Sequence, residues 1–258
     1  MKKRVQREVD ELFKKDKDEV IARKVTEKDL DVLPEPVQRY LRYTQIIGKE
    51  KARTVRLKQR GYFRTKEDQK WMSLKAEEYF TVDPPGFLWY GKIKIFPFVN
   101  VAAIDKFSNG EGSLVVKMLS LFKVADAKGD EYDQAELVRY LSEMIWFPTA
   151  FLSGYIHWEQ INSASVKATI RVNDLSASAV LHFNPEGQIT NLVAERYMDV
   201  GGGLILKKWS TPLHEYAEIN GVMVPVKGEG VWKLSTGDFS YVKINKITDV
   251  EYNNPYVF

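Results

Sequence analysis

The feature that most constrains this chain is a repeated alternation of apolar and polar residues, which begins near residue 52 and continues almost to the end. In one such run Val55, Leu57 and Gln59 share a face, which is the two-residue period of a half-buried strand. Turn sequences such as Asn109-Gly110 separate the runs. Strands joined by short turns pair antiparallel, because parallel strands need long crossovers. Roughly a dozen such strands cannot stay flat, so the sheet must curl or close.

One segment interrupts the strand pattern in the middle of the chain. Between residues 132 and 147, Leu137, Tyr140, Leu141 and Met144 recur at helical spacing, and Pro148 then prevents the helix from continuing. A curled sheet would bury the apolar face of this helix. We therefore predict an α+β fold, in which a large, curved, mainly antiparallel sheet forms an open or half barrel around a central helix.

Residues 1–48 have a different, helical pattern. Val5, Val9, Leu12 and Phe13 form one apolar stripe, which resumes at Val20 and Ile21 after a charged run. Thr26 with Asp29 resembles a capping box. No linker divides the chain, so we predict a single domain over 1–258. Its predicted parts are an N-terminal helical arm (1–48), a first strand set (52–124), an inserted helix (130–150) and a second strand set (154–252).

Composition and charge exclude several classes of protein. The chain has no cysteine, which rules out thiol catalysis and cysteine-ligated metals, and no apolar run is long enough for a membrane span. Residues 1–60 carry 18 Lys and Arg against 11 Asp and Glu, whereas the remaining residues are net acidic. Residues 2–17 are therefore a candidate contact for an anionic membrane surface, with a solvated helical face as the alternative. The acidic body and the lack of a recognition motif argue against nucleic acid.

Several segments together resemble a known family. They are residues 33–41 (LPEPVQRYL), 76–80 (AEEYF) with 84–89 (PPGFLW), 124–127 (VADA), 139–150 (RYLSEMIWFPTA) and 194–197 (AERY). The set resembles a bacterial and archaeal family of uncharacterised proteins, a domain of unknown function, over roughly residues 30–252. That resemblance implies no activity and no catalytic residue. The strand–helix–strand layout is also similar to the half-barrels of periplasmic lipoprotein carriers, but only in architecture, because no motif is shared.

The 139–150 segment contains the strongest candidate for a site. Arg139 and Glu143 lie four residues apart, so they meet on one face of the helix. Tyr140 and Trp146 are among the aromatic and apolar residues around them, which would make the ion pair costly to bury unless it is well hydrogen-bonded. Such sites are often functional, and the alternative is a purely structural pair.

Further candidates are carboxylates and aromatic residues in strands. Glu78 interrupts an apolar strand face, while Glu77 points to the opposite face. Converging carboxylates would serve as a general acid and base, or would anchor arginines such as Arg196. The predicted ligand pocket comprises Arg139, Glu143, Trp146, Tyr140, Glu77, Glu78, Tyr79, Trp89, Asp105, Glu195 and Tyr197.

Other motifs give no support for metal or nucleotide chemistry. His157, His182 and His214 each lie alone in a predicted strand, without metal-ligand spacing. Gly201-Gly202-Gly203 lacks the Gly-Lys-Ser/Thr spacing of a phosphate loop, so we interpret it as a hairpin tip. We therefore expect no metal and no cofactor.

The sequence favours a binding protein for a hydrophobic, amphiphilic or lipid-like small ligand. The alternatives are an enzyme that uses paired carboxylates on a small apolar substrate, and a structural or partner-binding module. The chain shows no secretory signal pattern, which predicts a cytoplasmic location. Some members of the resembled family carry an N-terminal membrane span, which would place the basic arm at the cytoplasmic membrane face.

Overall fold

The computed structural model describes residues 1–17, 23–96, 99–118 and 122–258. Within those residues fourteen strands form a single antiparallel sheet. The strands are β1 (Thr54–Phe63), β2 (Met72–Thr81), β3 (Gly86–Phe96), β4 (Val99–Ser108), β5 (Glu111–Met118), β6 (Phe122–Ala127), β7 (Ile156–Asn162), β8 (Ser165–Val172), β9 (Leu175–Phe183), β10 (Ile189–Asp199), β11 (Leu204–Ser210), β12 (Leu213–Ile219), β13 (Val222–Leu234) and β14 (Gly237–Tyr252).

The order of strands across the sheet is β6-β5-β4-β3-β2-β1-β14-β13-β11-β10-β9-β8-β7, and β12 pairs with β13 outside that path. The first and last strands of the chain's β region, β1 and β14, therefore pair at the middle of the sheet. Hairpins then extend outward from this centre on both sides. The Asn109-Gly110 hairpin is confirmed, with left-handed backbone at both residues, as a tight primed turn requires.

The sheet is strongly curved. This follows from the contacts of a single helix, which reaches strands near both edges of the sheet. This helix, α3 (Asp130–Glu143), packs against β4 and β5 on one side and against β9 and β10 on the other. The ends also meet directly, where the side-chain amide of Asn173 donates to the backbone carbonyl of Asn109 at 3.3 Å. The predicted half barrel around a central helix is confirmed.

The central helix ends earlier than its sequence pattern predicts. After Glu143 the chain tightens into two 3-10 helices, Met144–Trp146 and Pro148–Leu152. The prediction that Pro148 stops the α-helix is wrong, because the helix ends five residues earlier; Pro148 begins the second 3-10 helix. Asp130, Glu131 and Asp133 occupy the first turn of α3, where the helix dipole favours carboxylates.

The N-terminal helical arm is confirmed as two separate helices on opposite sides of the sheet. α1 (Lys2–Leu12) buries Val5 and Val9 on the convex face, against Leu88 and Ile104. α2 (Glu35–Tyr43) packs on the concave side with the main core. The Thr26–Asp29 capping box is present. The predicted return of the apolar stripe at Val20 and Ile21 lies outside the described residues.

The strands differ in three places from those that the sequence pattern alone predicts. The apolar run 114–124 predicts one strand, but its residues belong to two paired strands, β5 and β6, around a stretch outside the described residues. Residues 204–210 form β11, which has no apolar–polar alternation in its sequence. Residues 222–226 and 229–234 are one strand, β13, because Pro225 is accommodated beside a register shift rather than ending the strand.

Side chains fill only part of the concave side. Next to β7, β8 and β9, the interior is packed by α2, the 3-10 segment and one face of α3. Tyr40, Phe147 and Phe151 are completely or almost completely buried there, and the ring of Phe80 packs at a tilt against that of Phe147, with centroids 4.8 Å apart. The concave side of the remaining strands is different, as described below.

Candidate functional site

A large cavity lies between α3 and the concave face of the sheet. Its volume is about 1120 Å³, and its walls come from β1–β6, β10, β11, β13 and β14. Most of the side chains that face it are hydrophobic, including Leu74, Ile93, Val116 and Trp232. Ligand pockets typically measure about 300–1,000 Å³, so this space is as large as a generous ligand pocket.

One stripe of α3 forms the polar wall of the cavity. Residues 132, 135, 136, 139, 142 and 143 all line it, and this spacing repeats along a single helical face. Leu137 and Leu141, on the opposite face of α3, pack into the filled part of the core. The helix thus separates a filled interior from a hollow one, and its charged residues face the hollow side.

Arg139 binds three carboxylates from three different elements. Its Nε donates to Glu143 at 2.9 Å, its Nη1 to Asp105 on β4 at 2.7 Å and its Nη2 to Glu78 on β2 at 2.9 Å. The guanidinium also lies over the rings of Phe87 and Trp89, at 4.9 and 5.3 Å from their centroids. Burial opposes the charge of Arg139, yet the three carboxylates raise its pKa above the usual value.

A chain of hydrogen bonds extends from this cluster along the cavity wall. Glu78 is completely buried and accepts from Gln59 Nε2 at 2.6 Å, while Gln59 Oε1 accepts from Trp89 Nε1 at 2.9 Å. The indole ring of Trp89 lies against Gly91, where a Cβ atom would be only 2.0 Å from the ring. Gly91 therefore allows Trp89 to lie flat along the wall.

Two carboxyl groups of this cluster have raised pKa values. Burial raises the pKa of Glu78 well above its usual range, and the neighbouring Glu143 raises it further, although Arg139 lowers it. Burial also raises the pKa of Glu143, while the charge of Arg139 and its hydrogen bond lower it. Burial and the nearby charge of Glu143 therefore both favour the protonated form of Glu78.

A second buried pair joins α3 to β10. Arg196 Nη2 donates to Glu136 Oε1 at 2.9 Å, and Arg196 Nε donates to the carbonyl of Ala135 at 2.9 Å. Burial raises the pKa of Glu136 to about 8, and Asp105 adds to this, although Arg196 lowers it. The other oxygen of Glu136, Oε2, is buried and has no hydrogen-bond partner. Glu136 Oε2 is therefore shielded from the cavity as well as from hydrogen-bond donors.

Not all of the residues predicted from sequence reach this cavity. Tyr140 points into the filled side and donates to the carbonyl of Thr81 at 2.9 Å. Tyr79 lies on the convex face with its neighbour Glu77, to which it donates at 3.1 Å. Glu195 is exposed, and Glu78 lies behind Arg139. Six of the predicted residues line the cavity, namely Arg139, Glu143, Trp146, Trp89, Asp105 and Tyr197.

Sequence reasoning missed Glu136 as a site residue and named Arg196 only as a possible anchor. A signal for Glu136 exists, because it lies three residues before Arg139 and seven before Glu143, on the same helical face. Arg196 lies in a strand distant in sequence, so only the sheet order brings it to α3. The aromatic residues around Arg196, Trp209, Trp232 and Tyr241, were missed for the same reason.

The opening of the cavity is identified by residues that both line it and are exposed. Ile95 near the end of β3, Thr65 between β1 and β2, Lys227 on β13, and residues 199 and 201–203 at the β10–β11 hairpin meet both conditions. The glycine triplet is thus a hairpin tip, as predicted. Among the described residues no group of three His, Cys, Asp or Glu side chains is arranged to hold a metal ion.

Comparisons with known proteins identify a family. The model described as "Family of unknown function (DUF6544)" matches residues 23–244. A DUF1329 family protein from Desulfovibrio piger is similar in structure, with a TM-score of 0.45, 8% identity, and coverage of 84% of this chain and 91% of that chain. A LolA superfamily protein from Nitrosomonas europaea has a TM-score of 0.40, 11% identity, and coverage of 84% and 93%. No curated protein sequence matches this chain.

Proposed function

The chain belongs to DUF6544, a family of unknown function, and we propose that it is a binding protein whose half-barrel cavity holds a hydrophobic or amphiphilic small molecule. The observation that supports this most directly is the cavity of about 1120 Å³ with mainly hydrophobic walls. Empty apolar space of this size costs stability, because the side chains around it lose packing contacts. A bound apolar molecule would recover those contacts.

The charged wall is consistent with binding more than with catalysis. An enzyme with paired carboxylates needs both groups within reach of its substrate. Glu78 is completely buried behind Arg139, and Glu136 is only 1% exposed. The hydrogen bonds of Arg139 occupy Asp105, Glu78 and Glu143. The cluster therefore holds α3 in position against β2 and β4, and its exposed edge orients a ligand.

Native mass spectrometry of the protein purified from cells, followed by solvent extraction, tests this proposal. We expect an added mass of a few hundred daltons that is lost on extraction. Ala103, on the cavity wall, provides a blocking variant, because Ala103→Phe would fill part of the space. The matched control is Ala164→Phe in an exposed loop. A ligand retained equally by both variants would contradict binding in this cavity.

The cytoplasmic location and the attraction of residues 2–17 to an anionic membrane stay predictions. The described part of α1 does expose Lys2, Lys3 and Arg7. Among the described residues, no helix is long and apolar enough to cross a bilayer. A fusion of the full-length gene to a reporter that is active only outside the cytoplasm tests the location, and strong activity would contradict it.

A further inference from the structure

We infer that the opening of the cavity docks on a lipid bilayer with anionic headgroups, through exposed hydrophobic residues at its border. Five residues form this surface, which we call the rim: Ile95 and Phe96 at the end of β3, and Val200, Ile205 and Leu206 at the β10–β11 hairpin. The inference goes beyond the proposed function, because it concerns the outer surface and not the content of the cavity.

Exposed hydrophobic residues are concentrated at the rim. Nine large hydrophobic residues are exposed in the described part of the chain, and five of them are rim residues. Both rim segments border the cavity opening, since Ile95 and residues 201–203 line it and are exposed. Single exposed hydrophobic residues are normal on a protein surface, whereas a group of them at one place indicates a site of interaction.

The β10–β11 part of the rim lies on a two-stranded ribbon that extends past the neighbouring strands. β10 pairs with β9 only as far as Ala194, and β11 pairs with β13 only at Trp209 and Ser210. Beyond these positions, in the described part of the chain, residues 195–199 and 204–208 pair only with each other. A two-stranded hairpin alone is marginally stable in water, so a further contact of this ribbon is favoured.

The ribbon exposes hydrophobic side chains on both of its faces, which favours a bilayer over a protein partner. Successive side chains of a strand point to opposite faces, so Ile205 and Leu206 lie on different faces. They are 40% and 48% exposed. A protein partner would cover one face and leave the other in water, whereas a bilayer contacts both. The unpaired backbone edges of the ribbon then lie among the headgroups, because hydrocarbon offers them no hydrogen bonds.

The charge beside the rim suits anionic headgroups. Residues 92–96 and 195–208 together carry four lysines and two carboxylates, besides the buried Arg196, so their net charge is positive. Lys94 and Lys208 are exposed next to the rim. Lysines at the surface of a bilayer are attracted to anionic lipids.

The apolar surface of the rim continues into the cavity. Ile95 and Leu204 both line the cavity, and Leu204 directly precedes Ile205 of the rim. A ligand of the proposed class would therefore pass from the bilayer into the cavity without entering water. This places the opening of the half barrel, and not its convex face, against the membrane.

Co-sedimentation with vesicles of phosphatidylcholine and phosphatidylglycerol tests the rim. The triple variant Phe96→Ser, Val200→Ser, Leu206→Ser should reduce the bound fraction at least five-fold, and none of these residues lines the cavity. The matched control replaces three exposed hydrophobic residues elsewhere, Val32, Ile161 and Tyr256, with Ser and should bind like the native chain. An equal loss in both variants, or a native chain that does not bind these vesicles, would overturn the inference.

A pair of lysine variants tests the choice of anionic headgroups. Lys94→Gln with Lys208→Gln should lower binding to the mixed vesicles at least three-fold. The matched control, Lys28→Gln with Lys246→Gln, removes two exposed lysines away from the rim and should bind like the native chain. Equal binding by the two double variants would show that headgroup charge does not hold the rim.

A site-specific label shows directly which surface meets the bilayer. The chain has no cysteine, so a single introduced cysteine carries an environment-sensitive fluorophore at one position only. On the mixed vesicles, the emission of a label at Val200→Cys should move to shorter wavelength, and that of a label at Ile161→Cys should stay unchanged. A third label, at Lys3→Cys on α1, tests the alternative contact. A shift at residue 3 without a shift at residue 200 would assign the membrane to α1 and overturn the rim.

Two controls separate the rim from a second copy of the chain and from the cavity. Light scattering measures the oligomeric state, and a native dimer that dissociates in the triple rim variant would show that a second copy covers this surface. Ala103→Phe fills part of the cavity but leaves the rim unchanged, so it should bind vesicles like the native chain. Loss of vesicle binding in Ala103→Phe would overturn the rim as the docking surface, whereas a native chain without any bound ligand would contradict only the proposed function.

Discussion

The two parts of the concave interior differ although one sheet forms both. Beside β7–β9, the filled part is packed by Tyr40, Phe147 and Phe151. Beside β1–β6, β10, β11, β13 and β14, the hollow part also has mainly hydrophobic walls but encloses about 1120 Å³. The two parts differ because α2 and the second 3-10 helix pack into the filled part, whereas only Ile145 and Trp146 of the first 3-10 helix border the cavity.

This difference shows how a hollow interior is kept open. A hydrophobic cavity tends to collapse unless its walls are fixed. Arg139 connects α3 to β2 and β4, and Arg196 connects it to β10, through directional hydrogen bonds. The buried ion pairs therefore act as struts between the helix and the sheet. The filled part needs no such struts, since its side chains are in contact throughout.

Removing the main strut should have the largest effect on stability. Arg139→Met leaves Glu78, Asp105 and Glu143 without their counter-ion in a buried site. We expect the free energy of unfolding to fall by about 3–5 kcal/mol in chemical denaturation. The combined variant Arg139→Met, Glu78→Gln, Glu143→Gln should recover part of this loss, because fewer charges are left unpaired. A loss below about 1 kcal/mol in Arg139→Met would show that the cluster is not a strut.

Strand β10 borders both the filled part and the hollow part of the interior. On β10, Leu192 is completely buried in the filled part, and Met198 lines the cavity. Leu192→Ala should cost about 2–5 kcal/mol, because it opens a new void. Met198→Ala should cost less than about 1 kcal/mol, because its side chain already borders empty space. Equal losses in urea denaturation would mean that the cavity is closed in solution.

The strand pattern and the central helix could be predicted from sequence because both depend on local periodicity. Within the site, only the Arg139–Glu143 pair is local, and it was predicted from its four-residue spacing. The contacts of Arg139 with Glu78 and Asp105 depend on the curvature of the sheet, which brings together residues far apart in the chain. The alternation of a strand shows that only one of two neighbouring residues, such as Glu77 and Glu78, can face the interior. It does not show which of the two does so.

Enlarging a buried side chain should destabilise the filled part more than the hollow part. Ala168 on β8 is completely buried in the filled part, whereas Ala103 on β4 lines the cavity. Ala168→Phe should destabilise the fold by about 1–3 kcal/mol through overpacking. Ala103→Phe should change stability by less than about 1 kcal/mol, since the added ring extends into open space. Thermal unfolding of the two variants measures this, and a larger loss in Ala103→Phe would contradict a hollow interior.

The last comparison concerns pH and tests the polar wall alone. Burial raises the pKa of Glu136 to about 8 in the folded chain, above its value of 4.5 when unfolded. Between these values the folded state holds a proton that the unfolded state has lost. This contribution to stability is therefore complete below about pH 4.5 and is lost as the pH rises towards 8. The slope is at most about 1.4 kcal/mol per pH unit. Glu136→Gln cannot titrate, so its denaturation midpoint should vary less from pH 5 to 8 than that of the native chain. Parallel curves for the two proteins would show that Glu136 is ionised at neutral pH.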